Sequence, residues 1–224
     1  MKIAITRLKE KAGHDTALCR TYGHDCFTVS PLRAEVYEDR VAEFISRANR
    51  EEFDCIFFTS ALPAQIIAPL LERWPRVIAI GPQTAKTLEG AGITTETLPN
   101  FYSKAFAPYL GSWLKDKAVG IPRADVPNPA LMESVRAAGG RPHEVPVYAL
   151  VATGKTLDTK DADAIIFTSA GSFTKAILTP AEGVLMVAIG KTTAARMREG
   201  GVVPDITGDG SLEGTLRAIN RFQK

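Results

Sequence analysis

Small hydroxyl-bearing residues recur at two pairs of corresponding positions in this 224-residue chain. Thr59-Ser60 and Thr168-Ser169 each follow an apolar run, while Gly81-Pro-Gln-Thr84 and Gly190-Lys-Thr-Thr193 each follow the next one. If these runs are parallel strands, the four segments lie at carboxyl ends of strands, where helix N-termini present free N–H groups. Such donors suit carboxylate or phosphate groups. The competing interpretation is that each Ser or Thr only caps its helix.

An internal repeat relates these segments at one fixed offset. Asp54 corresponds to Asp163 (163 − 54 = 109), and 12 of the 39 positions in 54–92 are identical to the position 109 residues later. Unrelated sequences match at roughly one position in twenty, so the repeat indicates a duplication. A shorter segment also recurs, since Arg7 corresponds to Arg123 at an offset of 116.

Strand-like and helix-like patterns alternate along the chain, which predicts an α/β fold with parallel sheets. The nearly continuous apolar run 54–59 is typical of a strand that is buried on both faces. Candidate linkers lie at 34–36 and 149–153, and not near residue 116, where two consecutive domains would meet. The linkers therefore favour a discontinuous arrangement. The predicted domains are 1–33 with 154–224, which is the discontinuous one, and 37–148.

This arrangement predicts that the four hydroxyl-rich turns face one interdomain cleft. Arg7 and Arg123 end equivalent strands and are candidates for anion contacts, although a surface arginine that packs its aliphatic stem would look the same. Tyr148 ends the strand predicted at 143–148, beside the second linker. Its alternative role is that of a half-buried aromatic residue with a solvated hydroxyl.

Several catalytic motifs are absent from the sequence, including GxSxG and the Walker A loop. Gly208-Asp-Gly210-Ser-Leu-Glu-Gly214 resembles a glycine-rich dinucleotide loop only weakly. Glu213 stands where the motif requires its last glycine, and no βαβ unit follows. A glycine-rich turn ahead of a capped helix is the favoured interpretation.

The composition excludes some functions and indicates a compartment. The apolar fraction is 45% and the formal net charge is +2, so bulk charge gives no reason to expect a nucleic-acid partner. The apolar runs are too short to span a bilayer, and no apolar segment of signal-peptide length opens the sequence. We therefore predict a cytoplasmic protein.

The cysteines and histidines do not form a recognisable site. The cysteines lack CxxC spacing, and those in strand patterns, Cys26 and Cys55, are predicted to be small buried hydrophobic residues. The histidines make no metal-binding pattern, so no metal site is predicted. The residues concerned are Cys19, Cys26, Cys55, His14, His24 and His143.

Taken together, the motifs resemble the uroporphyrinogen-III synthase family along essentially the whole chain. The matching segments include Phe58-Thr-Ser60, Ile80-Gly-Pro-Gln-Thr84-Ala85, Val145-Pro-Val-Tyr148, Phe167-Thr-Ser169 and Ile189-Gly-Lys-Thr-Thr193-Ala194. The resemblance implies two similar flavodoxin-like domains with parallel sheets, the first discontinuous, joined by a two-stranded linker.

The resemblance also implies an activity. Family members close hydroxymethylbilane to uroporphyrinogen III, with loss of water and inversion of ring D, in tetrapyrrole biosynthesis and without a metal or organic cofactor. It places Tyr148 as the proton donor to the leaving hydroxyl, and Thr84 and Thr193 match cleft threonines of the family. The resulting substrate-binding candidates are Arg7, Ser60, Thr84, Arg123, Ser169, Ala170, Gly171, Lys191, Thr192 and Thr193.

The chain departs from the family pattern at one turn. Leu62 stands where members often carry an arginine or another polar residue, and Pro63 stands where a small residue is common. This departure favours an alternative, a non-catalytic ligand-binding or sensor protein of the same fold. A nucleotide-dependent α/β enzyme is a third hypothesis, which depends on the weak glycine loop alone. We predict a monomer whose partner is the linear tetrapyrrole, with no nucleic-acid or membrane partner.

Overall fold

A computed structural model describes residues 1–8, 13, 15–179 and 182–223 of the chain. The chain divides into two compact units. We call Met1–Arg33 together with Val151–Lys224 the terminal unit, and Ala34–Leu150 the middle unit. His14 lies outside the described residues.

Strands and helices alternate through most of the described part of the chain. The strands are β1 (Lys2–Thr6), β2 (Asp25–Val29), β3 (Leu32–Val36), β4 (Cys55–Phe58), β5 (Arg76–Ala79), β6 (Glu96–Thr97), β7 (Ala118–Ala124), β8 (Arg141–Ala152), β9 (Ala164–Phe167), β10 (Leu185–Ala188) and β11 (Ile206–Thr207). The α-helices are α1 (Asp15–Thr21), α2 (Glu38–Asn49), α3 (Ala61–Ile67), α4 (Pro82–Gly90), α5 (Phe106–Leu110), α6 (Pro129–Ala137), α7 (Ala170–Thr174), α8 (Lys191–Glu199) and α9 (Leu212–Phe222). The predicted α/β fold with mainly parallel sheets is confirmed.

The terminal unit contains a five-stranded sheet of order β11-β10-β9-β1-β2. Its ladders are parallel, and β1 is inside the sheet because Ile3 pairs with Cys26 on one side and with Ala164 on the other. The adjacent residues Ile165 and Ile166 are buried in separate cores, one on each face of the sheet. Helices therefore cover both faces, which explains why the strands are apolar at consecutive positions.

The middle unit contains a six-stranded sheet of order β3-β8-β7-β4-β5-β6. The neighbouring strands from β8 to β6 run parallel. Phe57 and Phe106 stack in its core with ring centroids 4.1 Å apart. A Cβ atom at Gly120 would lie 2.9 Å from the Phe53 ring and 3.0 Å from the Phe44 ring, so β7 needs glycine there to let α2 pack closely.

The segments that were predicted as linkers belong largely to strands. Residues 34–36 lie in β3, and residues 149–152 lie in the last part of β8, which neighbours β3 in the sheet. The last strand of each repeat copy is short, since β6 and β11 have only two residues each.

Cys55 is buried and free, as predicted, whereas the prediction for Cys26 was wrong in its chemistry. Cys26 is buried but forms a disulfide with Cys19. Helix α1 packs beside β2 and brings the two Cα atoms to 6.0 Å, within the range that a disulfide needs. A separation of seven residues in the sequence does not reveal this contact.

None of the helices in the described part of the chain is long and apolar enough to cross a membrane.

Candidate active site

The carboxyl ends of the parallel strands in the middle unit bring several predicted site residues to one edge of its sheet. Ser60 follows β4 and is the N-cap residue of α3, while Gly81 follows β5 and is the N-cap residue of α4. Thr84 lies in the first turn of α4 and is buried. Arg123 lies near the end of β7, next to β8, which carries Tyr148. Parallel pairing therefore places these residues at the same edge.

Tyr148 is buried, with 3% of its surface exposed. The ladder between β7 and β8 shifts register at this point. Arg123 pairs with Pro146, but the next residue, Ala124, pairs with Tyr148, so Val147 is the extra residue of a bulge. Bulges re-aim the side chains that follow them. The Tyr148 carbonyl accepts a hydrogen bond from the Asp125 N–H at 2.7 Å, which holds the strand in this position.

The surroundings of the Tyr148 hydroxyl act on its pKa in opposite directions. Burial raises the pKa above the ordinary tyrosine value, because a phenolate is poorly solvated in the interior. A hydrogen bond with the Ser60 side chain and the positive charge of Arg123 both lower it, since both stabilise the phenolate. Ser60 makes no side-chain capping bond to α3, so the helix does not occupy its hydroxyl.

Arg123 is buried and its charge is paired. Its Nη1 donates to Glu144 Oε1 at 2.6 Å, and its Nη2 donates to the Val126 carbonyl. The side chain is 10% exposed, and that of Glu144 is 30% exposed. Within the described residues, Arg123 Nε has no hydrogen-bond partner. The guanidinium is therefore held inside the middle unit beside Tyr148 and does not extend into solvent as an open anion contact.

Arg7, the equivalent arginine of the terminal unit, is also in an ion pair. Its Nη1 lies 2.7 Å from Asp15 Oδ1, at the start of α1. The acidic partner of either arginine was not predicted from the sequence. Asp15 follows eight positions after Arg7, and Glu144 lies on a neighbouring strand, so neither pairing follows a local motif.

The first turn of α8 opens onto a small cavity in the terminal unit. The cavity has a volume of about 360 Å³ and contains three predicted contacts, Lys191, Thr192 and Thr193. The backbone N–H groups in the first turn of a helix have no partner within the helix, so they are available to a ligand. The remaining lining residues are Ile189, Gly190, Gly208, Asp209 and Gly210.

The glycine-rich segment after β11 forms the other side of this cavity. A Cβ atom at Gly190 would lie 3.0 Å from the Gly210 Cα, so the close approach of the two turns requires glycine. Ser211 caps α9, because its Oγ accepts a hydrogen bond from the Gly214 N–H at 2.9 Å. The segment is therefore a turn ahead of a capped helix, as favoured above. Its role in the cavity was missed, although the glycines themselves gave a signal.

The last predicted turn, Ser169 to Gly171, forms the start of α7. Ser169 and Ser172 make a reciprocal capping box, with the Ser172 N–H donating to Ser169 Oγ at 3.0 Å. Capping therefore occupies Ser169, in contrast to Ser60 at the corresponding position of the repeat. Ala170 and Gly171 are the first two residues of the helix.

Leu62 and Pro63 lie in α3 and are both buried. The departure from the family pattern at these positions thus adds to the packing of the middle unit. It does not place an apolar side chain in solvent beside Ser60.

A further cavity of about 680 Å³ lies at the amino ends of β9 and β10, where Asp163 and Val184 precede the strands. Asp158, Asp161 and Asp163 line it, so it would repel an anionic ligand. It contains none of the predicted site residues. Among the residues that the structure describes, no group of three or more His, Cys, Asp or Glu side chains could hold a metal ion.

Comparison with known proteins places this α/β fold among enzymes of tetrapyrrole biosynthesis. The family model described as Uroporphyrinogen-III synthase HemD matches residues 14–210. The chain belongs to the uroporphyrinogen-III synthase family. Its activity is that of a cyclising lyase, which forms uroporphyrinogen III in tetrapyrrole biosynthesis, and the non-catalytic alternative is not favoured.

Solved structures agree with the fold. Uroporphyrinogen-III synthetase from Helicobacter pylori is 19% identical, with a TM-score of 0.65 and coverage of 99% of both chains. A mutant uroporphyrinogen III synthase from the extremely thermophilic bacterium Thermus thermophilus is 17% identical, with a TM-score of 0.53 and coverage of 100% of this chain and 97% of that chain. No curated protein sequence matches the chain.

Proposed function

We propose that Tyr148 is the general acid of the synthase reaction in this chain and that the substrate is hydroxymethylbilane. The observation that carries the proposal is the buried hydroxyl of Tyr148, hydrogen-bonded to Ser60 and close to the charge of Arg123. A tyrosine with a raised pKa stays protonated at neutral pH, as a proton donor must.

The proposed step begins with transfer of the Tyr148 proton to the hydroxyl on ring A. The C–O bond breaks, water leaves, and an azafulvene remains as the electrophile. Ring D then attacks through its substituted carbon to give a spiro intermediate, which fragments and recloses with ring D inverted. The proton that is released when the last pyrrole regains aromaticity returns to the Tyr148 phenolate.

Ser60 and Arg123 support this step by stabilising the phenolate. The Ser60 hydroxyl donates to the phenolate oxygen, and the guanidinium of Arg123 supplies a positive charge that it cannot lose. Both effects oppose the cost of burying the negative charge, so Tyr148 can release its proton without becoming solvated. We therefore assign Arg123 to positioning and charge stabilisation, and not to direct contact with substrate carboxylates.

We propose that the hydroxyl-rich turns bind the carboxylate side chains of the substrate. In the terminal unit, the cavity at the N-terminus of α8 offers backbone N–H groups, two threonines and the Lys191 ammonium. The other proposed contacts are Arg7, Thr84, Ser169, Ala170 and Gly171. Holding the substrate in one conformation matters because the free bilane can also cyclise to the wrong isomer.

The finer architecture is part of the proposal. We propose two flavodoxin-like domains, with residues 1–33 and 154–224 forming the discontinuous one and 37–148 the other, joined by β3 and β8 as a two-stranded linker. The strand order β2-β1-β9-β10-β11 supports this, because it corresponds to the flavodoxin-like order 2-1-3-4-5. The cytoplasmic location and the monomeric state stay predictions.

The test supplies freshly made hydroxymethylbilane, oxidises the products and resolves type III from type I porphyrin. We expect type III from the wild-type chain, and we expect Tyr148→Phe to lower kcat by up to about 10²-fold, since general acid catalysis is typically worth 10²–10⁴-fold and water can substitute in part. Tyr109→Phe is the control, because the Tyr109 hydroxyl donates to Glu96 in β6, which pairs with Arg76 at the amino end of β5. Type I alone at the uncatalysed rate would exclude the synthase activity, and an unchanged rate in Tyr148→Phe would remove Tyr148 from the mechanism.

A further inference from the structure

Phe101 is an exposed aromatic residue beside one of the proposed substrate turns. It follows β6 in the middle unit, and 54% of its surface is exposed. Its ring packs against the backbone of Gly81, because a Cβ atom built there would lie 3.4 Å from the Phe101 Cδ1. Gly81 is the N-cap residue of α4, and Thr84 lies in the first turn of the same helix.

The backbone of Phe101 is in an unfavourable conformation for such a residue. Its φ angle is +51°, in the left-handed region that suits glycine or asparagine and is rare for a bulky side chain. Burial of the ring does not compensate, since more than half of the residue is exposed. Strained residues of this kind collect where a ligand is bound.

The repeat offers a comparison within the same chain. In the terminal unit, the segment after β11 also packs on the N-cap glycine of a helix, but there Gly210 contacts Gly190. That contact leaves the cavity of about 360 Å³ that Lys191 lines. The duplicated turn therefore carries glycine backbone and a cation in one unit, and an aromatic ring in the other.

We propose that Phe101 is a substrate-contact residue, whose exposed ring stacks on a pyrrole ring of the substrate at the Gly81–Thr84 turn. The inference rests on the proposed function. A pyrrole has an aromatic face that suits offset stacking on a phenyl ring. At the α4 turn, the Phe101 ring would add an aromatic contact to the hydroxyl and N–H groups of the turn.

Phe101→Asn separates this role from a structural one. Asparagine tolerates a positive φ and lacks the ring, so we expect an unchanged or higher Tm together with a KM raised about 3- to 10-fold, at a kcat close to the wild-type value. Phe101→Tyr keeps the aromatic face and should restore KM. Tyr102→Asn is the matched control, since Tyr102 is the next residue and is 65% exposed. We expect its KM to stay within about 2-fold of the wild-type value.

The measurement is the initial rate of type III formation over a range of hydroxymethylbilane concentrations, with thermal melting of each variant. A wild-type KM in Phe101→Asn would overturn the inference while leaving the proposed function intact. So would a KM change that is matched by Tyr102→Asn, or one that appears only with a fall in Tm. Formation of type I porphyrin alone by the wild-type chain would overturn the proposed function and this inference together.

Discussion

The ion pair between Arg123 and Glu144 leads to the sharpest prediction for stability. Glu144→Gln removes the negative charge and keeps the shape of the side chain, so Arg123 keeps only neutral acceptors, the new amide oxygen and the Val126 carbonyl. Removing one partner of a fully buried pair costs about 3–5 kcal/mol. Arg123 is 10% exposed but Glu144 is 30% exposed, so water can replace part of the lost interaction. We expect a loss of about 1.5–3 kcal/mol in the free energy of unfolding, from the buried-pair cost reduced for this exposure.

The assay is equilibrium unfolding in urea, monitored by circular dichroism. With a slope of about 2 kcal/mol per molar urea, the midpoint should fall by about 0.7–1.5 M. Glu133→Gln is the control, because Glu133 is an exposed glutamate on α6, and its midpoint should hardly move. If both variants unfolded at the wild-type midpoint, Arg123 would need no carboxylate and the predicted loss of stability would be wrong.

Two further predictions concern the Tyr148 hydroxyl and the disulfide. Ser60→Ala removes the hydrogen bond that lowers the pKa of Tyr148, so this pKa should rise further above 10.0. The pKa of Tyr148 is measured by titrating the tyrosinate absorbance with and without Tyr148→Phe, in the wild-type chain and in Ser60→Ala. The difference between each pair of curves belongs to Tyr148. A lower titration midpoint in Ser60→Ala would contradict the hydrogen-bond assignment. Folding favours the neutral form of Tyr148, because the pKa of this residue is higher in the folded protein than in the unfolded chain. Its contribution to stability is therefore present below pH 10 and is lost as the pH rises through the pKa of Tyr148 in the folded protein. Reduction of Cys19–Cys26 should cost about 2–3 kcal/mol, from the loop-closure entropy of a short loop. The measurement is the Tm with and without dithiothreitol, and the double variant Cys19→Ser/Cys26→Ser is the reference without a disulfide. A Tm that dithiothreitol does not change would show that the disulfide does not contribute to stability.

The sequence predicted the fold well where burial is continuous and less well at the sheet edges. Ile165 and Ile166 face opposite cores, so their strand could be recognised from an unbroken apolar run. Ile93 and Leu98 are buried too, but only Glu96–Thr97 between them forms a ladder. Hydrophobic residues in that segment serve the core without belonging to a strand, and periodicity does not separate the two cases.

The candidate site residues could be chosen from the sequence, but their pairings could not. Parallel topology places turns at the carboxyl ends of strands, so Ser60 and Thr84 could be chosen from their order in the chain. The partners of the charged residues could not be chosen in this way. Glu144 meets Arg123 because β8 lies beside β7 in a specific register, and a single sequence carries no information on that register.

The position of β1 inside its sheet has a consequence for synthesis of the chain. Ile3 pairs with Ala164, so the first strand waits for a partner that is made about 160 residues later. The middle unit, by contrast, is complete once residue 150 has been made. We expect the middle unit to fold first on the ribosome, while β1 and β2 stay unpaired with the rest of their sheet. Truncation after residue 160 should therefore leave a protease-resistant core that lacks the N-terminus.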